Sequence, residues 1–255
     1  MLDFVPKIMD QLHELSGKPV LVQADPTLKT LSTIRIARGP APVHVVLYNP
    51  ASASFADYLI AYQCGFAIRI FQLPESDRFD LTSSYRGQRD SEKLVNEKAQ
   101  QSDLPLNKAG RLGLRDQMLN GLLIQLRSVP IGLRIDHWIA STYPALKDQQ
   151  AISIRRQLND NLESLRPEIK RFAPEQIHRA NVSMNAAFAA FWSRLWGEAM
   201  LNAPYKATGH FGTGEELLAD LDRLPQEAGS DRALMETWAE RLGIRSWLEF
   251  VPGPK

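Results

Sequence analysis

The sequence predicts an α+β fold, mostly helical, on three observations. Short segments rich in β-branched and aliphatic residues, Val20 to Gln23, Ser32 to Ala37 and Val43 to Leu47, crowd into the first fifty positions with Asp25-Pro26 and Gly39-Pro40 between them. From Ser54 onward the apolar residues recur with helical period. No further strand pattern is read before Trp247 to Val251.

Each element has a local reason. Phe4, Val5, Ile8, Met9, Leu12 and Leu15 share one helical face, and Gly17-Lys18-Pro19 ends that helix. The three β-rich segments read as a small sheet. Asn49-Pro50 closes the last of them, and Ser54 with Asp57 has the spacing of a capping box for a helix running to Phe71. Further helices are predicted over Glu92 to Gln101, Lys108 to Leu126, Leu133 to Thr142, Asp148 to Leu165, Pro174 to Trp196, Gly214 to Leu221 and Arg232 to Leu242. Prolines at 105, 130, 144, 167, 174, 204 and 225 mark most of the breaks. Thr82 to Asp103 is polar, with Ser-Ser, Arg-Gly and Gln-Gln pairs, and reads as a mobile excursion. The expected division is an α+β head over 1–81 and a helical body over 82–255 that share one core.

Composition bounds the function. The 255 residues are 44% hydrophobic, enough for a buried core. Thirty basic residues against 29 acidic ones create no net field toward nucleic acid or an anionic membrane. One cysteine excludes an internal disulfide. The absence of a signal-peptide apolar region and of any run long enough to span a bilayer gives the expectation of a cytoplasmic protein without a membrane partner.

The strand, Tyr48-Asn49-Pro50, and the helix carrying Tyr62, Gln63, Cys64, Gly65 and Phe66 resemble the ImmA/IrrE-type zincin-like family over about residues 42–71. In that family the helix carries H-E-x-x-H, with two histidines on one face aimed at zinc and a glutamate that polarises the attacking water. Here Tyr62 stands at the first ligand position, Gln63 at the glutamate and Phe66 at the second ligand, while Gly65 keeps a glycine common in relatives. The resemblance implies a zincin-like head without metal or other cofactor. A third ligand downstream would fall near Asp136 and His137; without the first two ligands they make no zinc site, and Asp136 is expected to pair with Arg134 or Arg69. Tyr62, Phe66, Leu59 and Ile70 also read as ordinary core on one helical face.

Other candidates are weaker. The histidines, His13, His44, His137, His178 and His210, never fall three or four apart, so spacing alone yields no metal pair. Cys64 sits among apolar residues and reads as a small hydrophobe. Thr208 to Glu216 is glycine-rich but lacks the lysine of a phosphate loop; Thr213 and Glu216 have capping-box spacing, and Pro204-Tyr205 with His210 would line a groove. Arg111, Arg115, Arg127, Arg134, Arg155 and Arg156 are interleaved with acids such as Asp116, Asp148, Asp160 and Glu163, which suits solvated faces more than nucleic acid. Phe188, Trp192 and Trp196 lie in a strongly apolar helix that reads as a central core helix or, if exposed, as a protein interface.

The leading expectation is a non-catalytic scaffold or regulatory subunit acting through protein contacts, with a setting in mobile elements, stress regulation or defence implied by the family resemblance. The alternatives are a hydrolase with a groove near Tyr62, Cys64, Asp136 and His137, or a nucleic-acid-binding subunit.

Overall fold

The computed structural model describes residues 2–102 and 107–254, so Asp103 and Pro105 lie outside the described residues. The fold is α+β and mostly helical, and no helix among the described residues is long and apolar enough to cross a membrane. Two compact units form. The first comprises 1–80, 131–156 and 251–255, and the second 81–130 and 157–250.

In the first unit, α1 (Val5–Ser16) buries Val5, Ile8 and Leu12, and Gly17 stops it with φ 72° in the left-handed region. Strands β1 (Val20–Ala24), β2 (Ser32–Arg35) and β3 (His44–Tyr48) form a sheet of order β1-β3-β2. β3 is central, parallel to β1 with Val22 opposite Val46, and antiparallel to β2 with Ile34 opposite Val46. That position explains why His44, Val46 and Leu47 are buried.

After β3, Asn49 organises the turn: its Oδ1 accepts from Ala51 N at 2.9 Å and its Nδ2 donates to the Leu28 carbonyl at 2.8 Å. A 3-10 turn over Pro50–Phe55 then leads into α2 (Ala56–Phe71). The capping box expected from Ser54 and Asp57 does not form. The 3-10 turn displaces the helix start past Ser54, and Asp57 instead accepts from the Leu2 backbone N–H at 2.8 Å.

Beyond β4 (Phe79–Ser83), which the sequence reading missed, comes α3 (Tyr85–Gln101). The expected excursion over 82–102 is therefore largely helix. Its polar signals are structural: Ser84 caps the helix by accepting from Gly87 N at 2.9 Å and donates to the Ser246 carbonyl at 2.7 Å. Gly87 lies against the Trp247 backbone, where a side chain would collide.

The two helices expected on either side of Pro130 are one, α4 (Lys108–Thr142). Proline removes a single N–H donor, and the flanking residues continue the helix through it. α5 (Lys147–Leu162) follows, then α6 (Pro167–Phe172) and α7 (Glu175–Trp196). α8 (Ala203–Ala207), α9 (Phe211–Arg223) and α10 (Asp231–Arg241) precede β5 (Leu248–Pro252), which pairs with β4. α7 is the spine of the second unit. Its small face lets α9 approach so closely that a Cβ on Gly214 would lie 2.7 Å from the Ala186 Cβ.

Candidate functional site

The residues singled out on α2 lie in the first unit, where α2 crosses the second half of α4. Two glycines permit that crossing. A Cβ on Gly65 would come within 2.8 Å of Ile135, and a Cβ on Gly132 would run into the Tyr62 hydroxyl. Gly65 thus serves helix packing here.

Each position of the five-residue motif is committed to an internal contact. The Tyr62 ring lies 5.4 Å from Phe66 edge-on and 5.9 Å from Tyr58. Gln63 donates to Ser32 Oγ at 3.0 Å and ties α2 to the sheet. Cys64 is fully buried, and burial pushes its thiol up to about 12. Phe66 is half-buried.

Asp136 sits at the centre of the arrangement and is 1% exposed. The Tyr58 hydroxyl donates to its Oδ1 at 2.8 Å, and Gln150 Nε2 donates to the same oxygen and to the Asp136 carbonyl, both at 3.1 Å. Burial pushes the carboxyl up to about 7 even though both donors favour its ionised form. Burial, with the Asp136 charge second, also holds the Tyr58 and Tyr62 phenols well above their usual range. These hydrogen bonds come from a tyrosine and a glutamine because helix packing brings α2 and α5 against this turn of α4. His137, one residue on, is exposed. A step of one residue on a helix turns its side chain away from Asp136, so the two do not form one site.

The zincin chemistry is not supplied by these side chains. Tyr62, Gln63 and Phe66 present no metal-ligand set, and among the described residues no group of three or more His, Cys, Asp or Glu is placed to hold a metal ion. Sequence reasoning missed Tyr58 and Gln150. Tyr58 lies four residues before Tyr62 and shares its helical face, a spacing that was readable. Nothing local marks Gln150.

In the second unit, Phe188 and Trp192 are buried, so they offer no surface to a partner, while Trp196 is half-buried beside the exposed Leu195 and Met200. Tyr205 is also buried and cannot line the expected groove. The Thr213–Glu216 capping box is replaced by an earlier start of α9 at Phe211, which leaves Thr213 inside the helix and Glu216 bonded to Arg241 at 3.1 Å. Arg115 is held by Asp116 at 2.6 Å and Glu92 at 3.5 Å. A scan against protein-family models, a search of curated proteins and a search of solved structures each found no match for this chain.

Proposed function

We infer that this chain is a non-catalytic, zincin-like protein of the cytoplasm, related to the ImmA/IrrE group, that works as a scaffold or regulatory subunit through contacts with another protein. The observation that carries this reading is the Tyr62 hydroxyl packed against Gly132. The side chains at the positions where a zincin would carry its ligands are engaged within the protein, with Phe66 on the edge of Tyr62 and Gln63 bonded to the sheet. Side chains committed in this way support a role for the fold as a frame. Arg115, Arg166 and Arg194 pair with acids and weigh against nucleic acid as the partner.

The test is elemental analysis of purified, never-chelated protein, followed by isolation of the native complex at natural abundance. Absence of stoichiometric metal together with a stoichiometric protein partner is the expected result. Stoichiometric zinc would overturn it.

A hydrolase reading draws on one observation, the Asp136 carboxyl poised near neutrality. Its burial, and the outward direction of His137, leave it no substrate to touch. Loss of a measured hydrolytic activity in Asp136→Ala, with folding intact, is what this alternative requires.

A further inference from the structure

Asp136 joins three helices of the first unit. It belongs to α4, it accepts from Tyr58 of α2, and it accepts from Gln150 of α5. Gln149, next on α5, accepts from the Tyr58 backbone N–H at 3.1 Å and fixes the same crossing a second time. The titratable and polar groups that face the carboxyl are Tyr58 and Tyr62 from α2 and Gln150 from α5, with Ser153 bonded to the Tyr58 hydroxyl. On α4 itself, Arg134 is buried two residues earlier and His137 is exposed. The side chains that donate to the Asp136 carboxyl are thus neutral at physiological pH. A carboxylate buried among neutral donors carries the cost of its lost hydration, because two hydrogen bonds replace only part of it.

We propose that the Asp136 carboxyl is a proton-controlled latch at the crossing of α2, α4 and α5: protonated, it holds the three helices together, and ionised, it loosens them. The sign follows from linkage. A carboxyl whose folded pKa is raised to about 7 from an unfolded value of 3.8 binds more protons in the folded state between those limits. The stability it lends is therefore complete below the unfolded pKa and is lost as pH rises through about 7. Between pH 5 and pH 8 the folding equilibrium of this unit falls by roughly a hundredfold from this group alone. The latch is distinct from any catalytic role, since it requires no solvent access.

Two measurements test it. The first follows the Asp136 carboxyl carbon by NMR in uniformly labelled wild-type protein, with Asp136→Asn to assign the signal. A midpoint between pH 6 and pH 8 is expected, and a carboxylate already ionised at pH 5 would overturn the proposal. The second compares native-state amide exchange in α2 for wild type and Asp136→Asn, at pH 5 and pH 8. Asparagine keeps the oxygen that accepts from Tyr58 and Gln150, so the variant should hold its protection across the range while wild type loses roughly a hundredfold relative to it. Equal pH dependence in both proteins would sink the latch. If the variant fails to fold, the carboxyl is assigned by through-bond connectivity in the wild type, and protection in α2 that shows no fall across the titration midpoint, once corrected for intrinsic exchange, would overturn the latch.

Discussion

The Tyr62 hydroxyl abuts Gly132 with no room for a Cβ between them, although the two residues stand 70 positions apart in the chain. Gly132→Ala should therefore force the α2–α4 crossing apart and destabilise the first unit by about 1–3 kcal/mol, in the range of overpacked cores. Adding Tyr62→Phe removes the colliding oxygen and should recover part of the loss. Denaturant unfolding of the single and double variants checks both statements; strict additivity would mean that the two groups are not in contact.

His44 gives a second measurable dependence. Its Nδ1 accepts from the Ala37 N–H at 3.0 Å, which places the proton of the neutral ring on Nε2, toward Ser16 Oγ at 2.9 Å. Burial, with Lys18 and His13 nearby, holds its pKa below the usual value of 6.5. The unfolded chain then binds the proton more readily, so the stability from His44 is complete above about pH 6.5 and is lost as pH falls toward the folded pKa. Thermal midpoints measured from pH 7 to pH 5 in the Asp136→Asn background, where the carboxyl no longer contributes, should decline with acid. Replacing His44 should flatten that decline.

In the second unit, Asp220 is buried and bonded by Arg241 through Nε at 2.6 Å and Nη2 at 3.0 Å, with Arg223 at 2.7 Å. Asp220→Ala leaves two guanidinium groups without their shared partner and should cost about 3 kcal/mol. Arg223 is largely exposed, so Arg223→Ala should cost well under about 1 kcal/mol. Urea unfolding of the two variants separates these magnitudes.

Cys64 should behave as an inert thiol. With its pKa pushed to about 12 and no exposure, it should react with an aromatic disulfide reagent only as slowly as the first unit opens. One equivalent of thiol should appear at once in denaturant. Fast labelling of the native protein would contradict the packing described for α2.

Much of the fold was legible where the signal is local. Val5, Ile8 and Leu12 recur at helical spacing before Gly17, and β1 to β3 are short β-branched runs, so both could be read without a partner in view. β4 was hidden although Phe79 and Leu81 alternate with Asp80 and Thr82, because its polar surroundings suggested a loop. At the site, the side-chain chemistry of Tyr62, Gln63 and Phe66 was legible from residue type alone. What stood against those residues was not. Gly132 and Gln150 acquire their importance only once α4 and α5 fold back against α2, and no periodicity within either segment announces it.

The way the chain is apportioned between its units limits how the protein can be divided. The first unit draws on 1–80, 131–156 and 251–255, so the backbone passes from one unit to the other four times, twice inside helices that run on without a break. No single continuous stretch supplies one unit complete and alone: residues 81–250 hold all of the second but carry 131–156 of the first with them. Neither part can consequently be cut out or exchanged as one cassette without breaking the other.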